Sequence, residues 1–120
     1  MGNTVDQALW YPRSMLVELQ SLAEVQGTTM AWIVHETWTH AKAEVALLDG
    51  RSPWRAEKVF DQQYADIEKL KHTLALSSVM MTEVKHEAAR LDRSMSWLVV
   101  RAWCVAGDRL RHSKSAITGA

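Results

Sequence analysis

Apolar and polar residues alternate with two different periods along this chain. Apolar side chains lie at alternate places in residues 6–11 and 71–76, which predicts two short, half-buried strands. A run with helical spacing follows each strand and predicts helices over residues 13–26 and 79–91. The order of a strand followed by a helix therefore occurs twice.

Local signals mark the ends of these predicted helices. Pro12 stops the first strand and suits the first position of a helix, where an N–H group is not needed. Gly27 suits the left-handed conformation that commonly ends a helix. Asp92 fills the same place after the other helix, less comfortably because it carries a side chain.

A second helix is predicted after each of these turns. Its start is expected at Thr28 or Thr29 in the first case and at Arg93 or Ser94 in the second, where a hydroxyl can accept a hydrogen bond from a free backbone N–H. Each of these helices has one apolar face at 100° per residue. The members of these faces are Met30, Ile33, Val34, Thr37, Trp38, Ala41, Val45 and Leu48, and Met95, Leu98, Val99, Ala102, Trp103, Ala106 and Leu110.

The two parts of the chain match each other when the sequence is shifted by 65 positions. The match runs without a gap from Leu9 and Leu74 to Ala41 and Ala106. We interpret it as an internal duplication. Because a copy of about 40 residues is near the size at which a chain needs a partner to fold, the two copies are expected to share one core. Further identical pairs are Met15/Met80, Glu18/Glu83, Ala23/Ala88, Met30/Met95, Trp32/Trp97, Val34/Val99 and Trp38/Trp103.

The duplication predicts a single domain with four parts. Residues 5–48 form repeat 1, residues 49–70 a helical connector, residues 71–110 repeat 2, and residues 111–120 a flexible, unstructured tail. The connector is expected to dock on the core through an apolar stripe of its own. This stripe consists of Ala56, Val59, Phe60, Gln63, Tyr64, Ile67 and Leu70.

Composition limits the class of protein. The 120 residues, of which 48% are hydrophobic, suit one compact domain. A single cysteine, Cys104, excludes an internal disulfide and suits a reducing compartment. No apolar run reaches the roughly 18 residues of a membrane span, and the first residues lack the features of a signal peptide. We therefore expect a cytoplasmic protein that does not bind a membrane.

The net charge is zero, but the charges are distributed unevenly. Residues 1–48 carry two basic and five acidic side chains, whereas residues 71–120 carry eight basic and four acidic ones. Only the second half is therefore expected to attract polyanions.

The sequence HETWTH, residues 35–40, has some likeness to the zinc-binding helix of metalloproteases. That site needs two histidines four residues apart, on one face of a helix. His35 and His40 are five residues apart, which turns them about 140° away from each other on a helix. The sequence predicts no enzyme, no bound metal and no cofactor.

Two segments resemble a known family of DNA-binding proteins. YPRSMLVELQSLAEVQGTTM has the spacing of strand exit, proline, first helix, glycine and second helix found in Arc-like proteins, and EAARLDRSMSWLVVRAW is similar to small CopG-like proteins of bacteria. Both groups, with MetJ, belong to the ribbon-helix-helix superfamily. The resemblance implies a mainly α fold of tandem ribbon-helix-helix type, with two short antiparallel strands and four intertwined helices, to which the connector helix is added.

This resemblance implies a transcriptional regulator, such as a repressor, that places its two-stranded ribbon in the major groove of double-stranded DNA. Outward side chains of the ribbon would read the bases, and backbone N–H groups at the start of each second helix would hold phosphates. Carried over by position, the outward residues are Asp6, Ala8, Trp10, Lys71, Thr73 and Ala75, the phosphate-binding residues are Thr28, Thr29, Arg93 and Ser94, and Arg13 joins this DNA-binding set.

The outward residues depart from the family pattern. Asp6 would be repelled by phosphate and Ala8 has nothing to donate, whereas Lys71 and Thr73 keep the usual chemistry. We therefore expect asymmetric DNA contacts, mainly from repeat 2. The alternative is a module for protein interaction or oligomerisation that keeps the fold and has lost DNA binding.

The tryptophans of the second helices have different expected roles. Trp38 and Trp103 fall on the apolar faces and are expected in the core. Trp32 and Trp97 fall on the opposite side, where they are either covered by the first helix of the other repeat or exposed as anchors for a partner. The sequence also permits self-association, including a swapped dimer in which repeat 1 of one chain pairs with repeat 2 of another.

Overall fold

Four helices and a two-stranded antiparallel sheet make up residues 3–47 and 68–118, the parts of the chain that this computed structural model describes. The prediction of a mainly α protein with two short antiparallel strands is confirmed. Residues 49–67 of the predicted connector helix lie outside the described ranges. In chain order the elements are β1 (Thr4–Pro12), α1 (Arg13–Gln26), α2 (Met30–Ala46), β2 (Lys69–Ser77), α3 (Ser78–Leu91) and α4 (Met95–Thr118).

The two strands pair in a symmetric register. Ala8 pairs with Thr73, which is 65 positions later, and four further pairs extend the ladder on each side. An approximate two-fold axis therefore passes between these two residues. Backbone hydrogen bonds continue beyond both ends of the ladder, from Arg13 N to Glu68 O (2.8 Å) and from Ser78 N to Asn3 O (2.9 Å).

One side of the sheet forms the floor of the hydrophobic core. Its buried strand residues are Leu9, Tyr11, Leu74 and Leu76. The apolar faces of α2 and α4 pack against each other above this floor. Trp38 and Trp103 are each 2% exposed, which confirms the prediction that both belong to the core. Burying a side chain of this size contributes about 2 kcal/mol or more.

The turns that end α1 and α3 share one geometry. Gly27 has φ +66° and Asp92 has φ +55°, so both adopt the left-handed conformation that the sequence predicts. In each turn the following N–H group donates to a carbonyl in the last turn of the helix, as in a Schellman motif. These bonds run from Thr28 N to Ala23 O and from Arg93 N to Ala88 O, both at 2.9 Å.

Several element boundaries differ from the predicted ones. β1 begins two residues before Asp6 and β2 begins two residues before Lys71, because cross-strand pairing continues where the apolar alternation has stopped. Leu70, which we expected on the connector helix, is consequently part of β2. Pro12 is the last residue of β1 and not the first residue of α1, because its backbone is still extended at ψ 140°.

The helix α4 is longer and more widely buried than the pattern predicts. It continues to Thr118, so the prediction of an unstructured tail is wrong for residues 111–118, a stretch without proline or glycine. Val100 and Arg101 are buried although they lie outside the predicted apolar face. Burial lowers the pKa of the Arg101 guanidinium, and Cys104 and Glu44 oppose this effect. No helix within the described residues is long and apolar enough to cross a membrane.

Tyr11 is fully buried, and its hydroxyl has no hydrogen-bond partner among the described residues. Burial raises the pKa of Tyr11 to about 12. The folded chain therefore keeps this phenol protonated at a pH at which the unfolded chain ionises, near 10. The stability that this difference contributes is present below about pH 10 and is lost as the pH rises towards 12.

We expect Tyr11→Phe to remove this pH dependence. At pH 7 it should leave the free energy of unfolding unchanged or raise it by about 1 kcal/mol, because a buried hydroxyl without a partner is lost. At pH 11 the wild-type protein should have lost about 1 kcal/mol more than the variant, as measured by urea unfolding. Tyr11→Leu, which copies the residue at the equivalent position 76, controls for packing. A Tyr11→Phe protein that is clearly less stable than wild type at pH 7 would contradict the conclusion that the Tyr11 hydroxyl has no hydrogen-bond partner.

Candidate nucleic-acid interface

The side of the sheet that faces away from the core is a solvent-exposed surface, which we call the ribbon face. The three central cross-strand pairs on it are Asp6 with Ala75, Ala8 with Thr73 and Trp10 with Lys71. All six residues that the sequence assigns to this face lie on it, five of them exposed and one, the central alanine, half-buried. Residues opposite each other in an antiparallel pair lie on the same face, so each pair presents its two side chains together.

Each end of the ribbon face combines residues from both repeats, because the strands are antiparallel. At one end, here the Trp10 end, an indole that is 52% exposed lies opposite Lys71, with Lys69 two residues earlier in β2. The other end, here the Asp6 end, pairs a carboxylate with the methyl group of Ala75. The aromatic and cationic groups therefore gather at one end of the ribbon face and not within one repeat.

Arg13 lies directly after β1 at the Trp10 end. Its Nη2 atom is 3.1 Å from Oε2 of Glu68, and both side chains are more than 60% exposed. An ion pair that is this exposed contributes less than about 1 kcal/mol, so it leaves Arg13 available to a stronger anion. Neither Glu68 nor Lys69 was among the predicted site residues. Both lie in residues 49–70, which were predicted as the connector, so no strand pattern pointed to them.

The start of α4 lies against the outer edge of β1. The backbone N–H of Trp10 donates to Oγ of Ser96 at 2.8 Å. In repeat 1 the position equivalent to Ser96 is Ala31, so the start of α2 has no hydroxyl with which to make such a bond to β2. The apolar pattern contained no signal for Ser96, because the bond joins two residues 86 positions apart.

A hydroxyl caps each of the second helices. Oγ1 of Thr29 accepts from the N–H of Trp32 at 3.1 Å, and Oγ of Ser94 accepts from the N–H of Trp97 at 3.0 Å. Of each predicted pair of candidates, the later residue is therefore the cap. The cap satisfies one free N–H group, and the helix dipole still gives each helix start a partial positive charge that favours anions.

Trp32 and Trp97 have different surroundings although their positions are equivalent. Trp32 is 46% exposed, whereas Trp97 is half-buried and packs against the core. The guanidinium carbon of Arg93 lies 5.1 Å from the centroid of the Trp97 ring. Such a contact stabilises by about 0.5–1 kcal/mol and orients the cation beside the start of α4. In repeat 1 the equivalent of Arg93 is Thr28, which carries no charge.

A groove of about 560 Å³ lies between α2 and α3, away from the ribbon face. Within its lining, Trp38 Nε1 and Lys42 Nζ each donate to the Glu83 carboxylate at 3.3 Å.

In the HETWTH segment, Nε2 of His40 is 3.8 Å from Oε2 of Glu36. Within the described ranges, no three His, Cys, Asp or Glu side chains are grouped so that they could hold a metal ion.

Comparisons of the chain with protein-family models, with curated proteins and with solved structures gave no significant match.

Thr29→Ala and Ser94→Ala are each expected to lower the free energy of unfolding by about 1 kcal/mol, because each removes the acceptor for an N–H group at a helix start. Urea unfolding followed by far-UV circular dichroism measures the loss. Thr28→Ala is the matched control, since it makes the same chemical change one residue before a cap. Equal losses for the two threonine variants would contradict the assignment of the cap.

Proposed function

We propose that this protein is a DNA-binding transcriptional regulator of the ribbon-helix-helix type, in a tandem form in which one chain supplies both strands and all four helices. The ribbon face enters the major groove of double-stranded DNA, and the starts of α2 and α4 approach the phosphates on either side. The proposal includes no catalytic step and no cofactor.

One observation carries this proposal, namely that an exposed two-stranded ribbon has a helix start at its edge. The hydrogen bond from Trp10 N to Ser96 Oγ brings the first turn of α4 to the edge of β1, and α2 packs against β2 in turn. A two-stranded ribbon fits the major groove, and helix starts attract phosphate. Duplex DNA offers base edges between two rows of phosphates, which matches this arrangement.

The charges on this surface favour asymmetric contacts. Lys69 and Lys71 lie on the ribbon at the Trp10 end, and Arg93 lies beside the start of α4, which borders the same strand edge as Trp10. The Asp6 end has a carboxylate, which phosphate repels. Because only part of the surface attracts DNA, we expect modest affinity from one molecule and tighter binding when several molecules occupy adjacent sites.

A second candidate function is a protein-interaction module that has the same fold without DNA binding. The observation in its favour is Trp32, whose indole is 46% exposed at the start of α2. Exposed tryptophans are common anchors of protein interfaces. Self-association through this residue would appear as a concentration-dependent mass in sedimentation that Trp32→Ala abolishes.

Titration of a fluorescent duplex of generic sequence over a range of salt concentrations tests the DNA proposal. We expect the logarithm of the binding constant to fall linearly with the logarithm of salt. Nonspecific binding to such a duplex depends on phosphate contacts, so Lys71→Ala and Arg93→Ala should each weaken binding and reduce this slope by about 1. Lys85→Ala is the matched control, because Lys85 is an exposed lysine on α3 outside the proposed interface.

Binding with a slope that falls in the Lys71 and Arg93 variants, and not in the Lys85 variant, would support the proposed interface. An equal reduction in all three variants would mean that DNA binds through net charge alone. Absence of binding even at low salt would remove the proposal and leave the protein-interaction module.

A further inference from the structure

The two ends of the ribbon face differ in what they can bind on a base edge. At the Trp10 end, Lys71 can donate to O6 and N7 of guanine, and the face of the Trp10 indole can contact the methyl group of thymine. At the Asp6 end, the carboxylate can only accept, which limits it to the amino groups of cytosine and adenine, and Ala75 has no hydrogen-bonding side chain. The end with donors therefore contains one residue from each repeat.

The Trp10 end is also the better positioned of the two. The bond from Trp10 N to Ser96 Oγ ties this strand residue to the first turn of α4. At the Asp6 end, Ala31 takes the place of that serine, so the corresponding side-chain acceptor is missing. A strand backbone that is held in place loses less conformational entropy on binding, which makes the contacts of its side chains more selective.

The central cross-strand pair does not favour either orientation of the protein on DNA. Ala8 and Thr73 lie at the approximate two-fold axis, so they are placed alike with respect to both ends. The Thr73 hydroxyl is exposed and can accept or donate, which gives it little power to select one base. Any preference for one orientation on DNA must therefore come from the two ends.

We propose that the protein recognises a non-palindromic duplex site through the Trp10 end alone, with Lys71 bonded to a guanine and the Trp10 indole packed on the methyl group of a nearby thymine. This inference rests on the proposed function, and it names the bases that the ribbon reads. The approximate symmetry of the fold would by itself lead to an inverted repeat. The chemistry of the two ends leads instead to a single half-site.

The test begins with selection from duplexes that have a randomised core, using the wild-type protein. We expect one asymmetric motif with a guanine and a thymine in the same half. On the selected duplex, replacing that thymine with deoxyuridine removes one methyl group and should weaken wild-type binding about fourfold. Replacing the guanine with 7-deazaguanine removes one acceptor and should weaken binding by about fivefold or more.

Variants of the protein make the assignment specific to single residues. The deoxyuridine change should have no effect on Trp10→Ala, and the 7-deazaguanine change should have none on Lys71→Ala, because each variant already lacks the contact. Asp6→Ala is the matched control and should respond to both base changes as wild type does. All three positions are exposed, and circular dichroism would confirm that the variants fold.

The possible outcomes separate this inference from the proposed function. A palindromic motif, binding without any sequence preference, or base changes that weaken the wild type and the variants equally would overturn the inference and leave DNA binding intact. Failure to bind any duplex at low salt would overturn the proposed function itself.

Discussion

The pairing of Ala8 with Thr73 sets the register of the two strands and, through it, the position of the helices that cover them. A two-stranded sheet is marginal by itself, and this one is stabilised because its inner residues are buried beneath α2 and α4. A shift of one residue in register would bring Trp10 into the core and expose Leu9. The burial of the inner residues therefore determines the register, and the register determines which side chains the ribbon face presents.

A symmetric framework carries an asymmetric surface. Core positions such as Trp38 and Trp103 are occupied alike in both repeats because they meet the same packing environment, where a change of volume costs several kcal/mol. Surface positions have no such restriction. Asp6 and Lys71, for example, are related by the 65-residue shift and carry opposite charges. The two strands thus have the same place in the fold and differ in the charges that they expose.

Features of the fold that follow from a single local rule were predicted correctly. The left-handed residues Gly27 and Asp92 and the helix starts near Thr29 and Ser94 follow from backbone geometry within a few residues, and all were predicted. The extra strand residues and the helical end of α4 were missed, because pairing and helix propagation continue through positions that carry no apolar pattern. The candidate site was predicted as a set of positions on the ribbon without its arrangement into two ends.

The amino-acid sequence was enough to predict the order of strands and helices, the apolar faces and the two copies of one pattern, since these depend on the periods of local backbone geometry. The tertiary structure was needed to show that Trp10 lies opposite Lys71, that Ser96 accepts a hydrogen bond from the Trp10 N–H, and that Trp97 is half-buried while Trp32 is exposed. The physical reason is that these contacts join residues far apart in the chain. The strand register and the packing of the helices determine which residues meet, and the periodicity of a local segment carries no information about either.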